Sequence, residues 1–148
     1  MLGGVHIPSP TGEDAHSDGD VLIHAIIDAL LGAAALGDIG THFPNNDPQW
    51  KDADSRSLLE HVMNLIVQEG YRIGNLDTTI VLQSPRLSSH ISSIRSTLAE
   101  LLGVELSVVS IKAKSAEHIG AVGEGRAVEA YACVTLFSAD GVPPEAWV

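Results

Sequence analysis

Val21–Leu36 is apolar on nearly every side of a helix, with Val21, Leu22, Ile23, Ala25, Ile26, Ile27, Leu30 and Leu31 leaving no wide polar face. Such a helix has to lie inside a protein, covered from several directions. Its polar residues Asp20, His24 and Asp28 recur at i, i+4 and i+8, so they share one stripe. Burying such groups is costly unless something binds them, and the stripe points to a metal or a phosphorylated ligand. The helix is read from Ser17 or Asp18 to Leu36, with an acidic first turn that suits its dipole and Gly37 as its stop.

The remaining sequence alternates short strands and helices. Leu2–Ile7 is read as a short strand broken by Pro8 and Pro10. Gly37–Asp54 is rich in turn formers and reads as a long loop, which in a small domain usually serves function. A helix follows over Ser55–Glu69, capped by Asp54 or Ser55 and ended by Gly70. Ile73–Gln83 alternates with period two and predicts a strand. A third helix covers Ser89–Leu102, then come a strand over Val108–Ala113, a glycine-bearing loop over Ser115–Gly125 and a last strand over Arg126–Phe137. The outward residues Glu129, Tyr131, Cys133 and Thr135 of that last strand are expected to meet another subunit. These elements predict an α/β (α+β) two-layer sandwich: a mixed four-stranded sheet with helices on one face. One domain spans residues 1–137, and 138–148 is an irregular tail.

The 148 residues carry a net charge of -11 with only eight Lys and Arg, which disfavours nucleic-acid and anionic-membrane partners. If the ligand is a phosphate ester, divalent cations or backbone amides must supply much of the positive field. No apolar run reaches membrane-spanning length, and no secretory leader is visible. The single cysteine, Cys133, is read as a buried structural thiol, which points weakly to a cytoplasmic setting.

Taken singly, the polar candidates have ordinary readings beside functional ones. A lone histidine such as His24 on an apolar helix is more often hydrogen-bonded in a core than a ligand. His16-Ser17 at a helix start either cradles an anion or caps the helix. Asp38-Ile39-Gly40 fits a turn as well as a site, and Glu117 fits a solvated charge.

Together they form a pattern. The runs AHSDGDVLIHAIIDALLGAAALGDIGTHFP, DPQWKDADS, GYRIGNLDTTI, SPRLSSHI and IKAKSAEHIGAVGEGRA closely resemble the 2-C-methyl-D-erythritol 2,4-cyclodiphosphate synthase family, from Leu2-Gly3-Gly4 to about Phe137. The resemblance implies a cytoplasmic or plastid-stromal homotrimer with sites between subunits. It implies cyclisation of 4-diphosphocytidyl-2-C-methyl-D-erythritol 2-phosphate with release of CMP, in non-mevalonate isoprenoid biosynthesis. His24 resembles the zinc-binding histidine, and Glu117 a ligand of a second ion, Mg2+ or Mn2+. His16 and Ser115 resemble groups that stabilise the transition state, with Ser17 beside His16. Asp38, Ile39 and Gly40, and Phe43, Asn45, Asn46 and Asp47, resemble the methylerythritol and ribose contacts. Leu82, Gln83, Ser84, Pro85, Arg86, Leu87 and Ser88 resemble a cytosine pocket built from backbone groups. Lys114, Ser115, Ala116 and Glu117 resemble the hold on the CMP phosphates, with Arg126 in the adjoining loop.

Some positions depart from the family pattern. Asn45 stands where Asp is frequent, Arg86 where Lys is common, and Lys114-Ser115 where a Thr-Thr pair is usual. GAVGEGRA places Glu124 at a customary Arg and Arg126 two residues later, as in a plant-type variant. The family's other zinc ligands come from an Asp-x-His motif on a strand before the position of Leu2, and His6 and Asp14 do not align with it. The expectation is therefore an N-terminally incomplete sequence that as written binds zinc weakly and turns over slowly. The second reading is a trimeric cytidine-nucleotide-binding relic.

Overall fold

The computed structural model describes residues 1–8, 19–44, 46–50 and 53–139. At its centre is α1, Val21–Ala33, where Leu22, Ile23, Ile26, Ile27, Leu30 and Leu31 are all fully buried. Each such side chain contributes about 1.5–3 kcal/mol of transfer free energy. The helix ends earlier than Gly37. Ala35 takes a left-handed φ of 57°, its N–H donates to Gly32 C=O at 3.0 Å, and the N–H of Leu36 donates to Leu31 C=O at 2.9 Å. These paired bonds satisfy the last carbonyls and stop the helix. At the other end Asp20 is the N-cap, so the helix starts after it; Ser17 and Asp18 lie outside the described residues.

The other elements are α2 (Ile39–His42), α3 (Ser55–Gln68), β1 (Tyr71–Val81), α4 (Ile91–Leu102), β2 (Val109–Lys114), α5 (Gly120–Gly123) and β3 (Glu129–Ser138). Asp54 caps α3 by accepting from the Arg56 N–H, and α4 closes on Gly103. The sheet has order β2-β1-β3, with β1 parallel to β2 and antiparallel to β3. A bulge at Gly74 lets Ile73 and Leu76 both face inward, ahead of the regular alternation through Thr78 and Ile80. α1 lies on β3 and against α3, while α4 packs on β2. Helices thus cover one face of a mixed sheet, as the alternation predicted.

Two further expectations need correcting. The sheet has three strands among the described residues, not four, because Leu2–Ile7 does not join it. Instead Leu2 and Val5 bridge one another across a tight turn at Gly3-Gly4. Gly3 has a φ of +57°, and a Cβ there would sit 2.4 Å from Ile94 Cγ2, so a side chain fits neither the backbone nor the space. The carboxylate of Asp20, fully buried, takes the N–H of Gly3 at 2.8 Å, of Gly4 at 2.6 Å and of Ile23 at 3.0 Å. Arg56 donates to the Gly4 carbonyl from the start of α3.

Cys133 is exposed rather than buried. Strand alternation places it with Glu129, Tyr131 and Thr135 on the sheet face that no helix covers. On that face the Lys112–Asp77 ion pair at 2.6 Å is half-exposed and screened by water. Lys112 and Ser110 hold the Asp77 carboxyl below its ordinary value, and Glu129 beside the Tyr131 hydroxyl raises the phenol above its own.

Candidate active site

The described candidate residues fall into two groups. The first surrounds α1. His24, in its first turn, places Nε2 2.9 Å from Oγ of Ser55, a fully buried residue at the start of α3. Asp28 accepts the N–H of Ile39 at 2.8 Å and so fixes the entrance to α2. Asp38 caps α2, accepting the Thr41 N–H and hydroxyl at 2.8 Å each. The polar stripe therefore resolves into three different duties: Asp20 caps the helix, Asp28 holds the neighbouring loop, and His24 points to Ser55.

Phe43 turns inward, 5% exposed, with its ring edge-on to Trp50 at 4.8 Å and to His61 at 5.5 Å. Asp47 accepts the Gln49 N–H at 2.9 Å and opens the short turn Pro48–Trp50, and Asn46 beside it is exposed. Gly40 is exposed in α2. His16, Ser17 and Asn45 lie outside the described residues.

The hydrogen bonds from Thr41 hold the Asp38 carboxyl below the ordinary aspartate range. A depressed value means that the capping contribution is present above the unfolded pKa and is lost as pH falls through the folded one. The Asp38 carboxyl carbon, followed by NMR, is expected to titrate below about 3.9, the free aspartate value. In Thr41→Ala it moves up towards that value. An unshifted midpoint in the parent protein would contradict the cap.

The second group lies where the parallel strands β1 and β2 end together. Crevices outside the carboxyl ends of parallel strands are common ligand sites, since the chain leaves there in adjacent loops. Here the loops are tied: the Leu82 N–H donates to Lys114 C=O at 2.9 Å, and the His118 N–H donates to Gln83 Oε1 at 3.2 Å. Ser115 donates its hydroxyl to Glu117. Lys114, Ser115, Glu117, Ser84, Arg86 and Ser88 are exposed, and Ala116 and Pro85 are half-buried. The Ser84–Pro85 peptide is cis. Leu87 turns into the core, and its carbonyl accepts from the N–H groups of His90 and Ile91, so that carbonyl serves the start of α4. Arg126 pairs with Glu124 in the loop before β3. The hydrogen bonds among the described residues run within each group, and none joins the two.

A profile of the YgbB family matches residues 1–137. The chain belongs to the YgbB family. A curated relative from Ectopseudomonas mendocina, called 2-C-methyl-D-erythritol 2,4-cyclodiphosphate synthase, is 54% identical over 138 residues, covering 93% of this chain and 88% of the relative. Among solved structures, the bifunctional IspDF from Campylobacter jejuni superposes with a TM-score of 0.89 at 35% identity. It matches 95% of this chain, which spans 39% of that longer protein. The IspF of Plasmodium falciparum, solved as a CDP complex, gives a TM-score of 0.79 at 33% identity, covering 95% of this chain and 84% of that one.

A metal site needs more donors than these groups supply. Zinc takes three or four. No three His, Cys, Asp or Glu side chains converge among the described residues of this YgbB chain, and His24 alone does not fit the ion. Ser55 was not legible as a functional residue: it sits beside the capping Asp54, and only folding brings it to His24. Gln83 was legible as the end of a strand and as part of a cytosine-pocket resemblance, but not as the partner of His118.

Proposed function

We propose that this chain converts 4-diphosphocytidyl-2-C-methyl-D-erythritol 2-phosphate into 2-C-methyl-D-erythritol 2,4-cyclodiphosphate and CMP. It is a lyase of non-mevalonate isoprenoid biosynthesis, in the cytoplasm or plastid stroma. The carrying observation is a 54% identical synthase relative matched over 93% of the chain. The paired loops at the ends of β1 and β2 add a place for a cytidine nucleotide. In the reaction an oxygen of the 2-phosphate attacks the β-phosphorus and forms a new P–O bond. The bond from that phosphorus to the bridging oxygen breaks, and CMP leaves with the electron pair. Both ends belong to one molecule, so catalysis is chiefly positioning and charge neutralisation.

The loop Leu82–Ser88 holds the base through backbone groups, with Ser84, Pro85, Arg86 and Ser88 shaping it. Lys114, Ser115 and Ala116 hold the phosphates, with Arg126 nearby. Asp38, Ile39, Gly40, Phe43, Asn45, Asn46 and Asp47 take the methylerythritol and ribose. His16, Ser17 and Ser115 stabilise the transition state. His24 offers one donor towards Zn2+, and Glu117 a carboxylate towards Mg2+ or Mn2+.

The working protein is a homotrimer whose site joins the α1 group of one copy to the β1–β2 loops of the next. The uncovered sheet face bearing the exposed Tyr131 and Cys133 supports this. The test is mixing. Ser115→Ala is expected to lower CMP release by about 100-fold, the scale of losing a charge-stabilising group, and His24→Ala is expected to lower it as well. His24→Ala leaves CMP affinity within about twofold, because CMP is held by the other group. Unfolded and refolded together, the two variants regain activity, since some mixed sites carry both native residues. Absence of CMP release by the parent protein would reject the function. Failure of the mixture to regain activity would reject the shared site.

A further inference from the structure

Both ends of the Gln83 carboxamide face one residue. Its Oε1 accepts the His118 N–H at 3.2 Å, and its Nε2 lies 3.5 Å from His118 Nε2. We propose that Gln83 is a positioning residue, which fixes the loop at Lys114–Glu117 through the backbone of His118 instead of reading the base. The inference rests on the reading of that loop as the phosphate hold.

The loop needs such a restraint. Glu117 and His118 have φ values of 51° and 61°, a left-handed pair with no glycine. L-residues keep that conformation only where their surroundings fix it. Three contacts do so here. The Ile119 N–H donates to Ala116 C=O at 2.9 Å and closes the turn. Gly123 of α5 lies so close that a Cβ on it would come within 2.4 Å of the His118 carbonyl carbon. The third is Gln83, the one contact of the three that arrives from the β1 side. The other two hold the shape of the turn, and Gln83, beyond the Leu82–Lys114 backbone bond, sets where that turn lies relative to the base loop. The Ser115–Glu117 bond lies within the segment it places.

A residue that places the phosphate loop and a residue that reads cytosine differ in what they do to ligands with and without phosphate. Methionine at 83 keeps the length of the side chain and removes its acceptor. Gln83→Met is expected to weaken CMP binding about fivefold, the worth of one exposed hydrogen bond, and to leave cytidine within about twofold. Titration of the full chain with CMP and with cytidine reads this directly. Hydrogen exchange at the His118 amide is expected to speed up in Gln83→Met and to stay protected in Gln83→Glu, which keeps the acceptor. Equal losses for CMP and cytidine would overturn the proposal in favour of base reading. Unchanged His118 exchange in Gln83→Met would overturn it outright. If the parent chain binds neither ligand, the functional reading fails instead, and His118 exchange still decides the clamp.

Discussion

Asp20→Ala is expected to destabilise the protein by about 3–5 kcal/mol, the range for stripping a buried hydrogen-bonded anion from its partners. Asp20 is fully buried, and its two oxygens take the N–H groups of Gly3, Gly4 and Ile23. Alanine leaves these donors without that acceptor and removes the N-cap of α1. It also frees the Gly3-Gly4 turn, which packs under Ile94 and Leu22. In a domain of this size the melting temperature should fall by roughly 10 °C. Asn at this position keeps one acceptor oxygen and should lose less. Chemical denaturation of the three proteins checks the order, and an Asp20→Ala midpoint equal to that of the parent would show that the turn is held by its other contacts.

The second large effect is on ligand binding. Gly123→Ala places a Cβ 2.4 Å from the carbonyl carbon of His118 and 2.8 Å from its Cα. These are backbone atoms, which cannot swing aside as a long side chain would, so the 115–119 turn has to move. Displacing a packed backbone costs about 1–3 kcal/mol. Taken up by the loop proposed to hold the CMP phosphates, this becomes roughly 10- to 100-fold weaker CMP binding. Gly123 and its buried neighbour Val122 are not part of the core cluster around α1, so the melting temperature should change less than in Asp20→Ala. Calorimetric titration with CMP reads the effect, and unchanged affinity in a folded variant would separate this turn from the nucleotide site.

Much of the framework was legible residue by residue. The all-round apolar face of α1 required burial, the alternation along Leu76–Ile80 required a sheet, and Asp54 announced the start of α3. The errors came where a local signal had two solutions. Gly37 was available as a helix stop, but Ala35 took the left-handed position two residues sooner. Leu2–Ile7 had strand composition, but the buried Asp20 carboxylate drew its amides into a turn. Cys133 has apolar neighbours in sequence, yet β alternation turned it to the uncovered face.

The candidate site divides in the same way. Which residue types are present, and their likeness to a cyclodiphosphate synthase, was written in the sequence, because motifs are local strings. The sequence alone also determined that α1 is central, since no other arrangement shelters so much apolar surface. Partnerships such as His24 with Ser55, Gln83 with His118, and Asp20 with Gly3 and Gly4 were decided only by the tertiary structure. Each joins residues more than a dozen positions apart, and a hydrogen bond depends on ångström-scale distance and direction, which no spacing along the chain encodes.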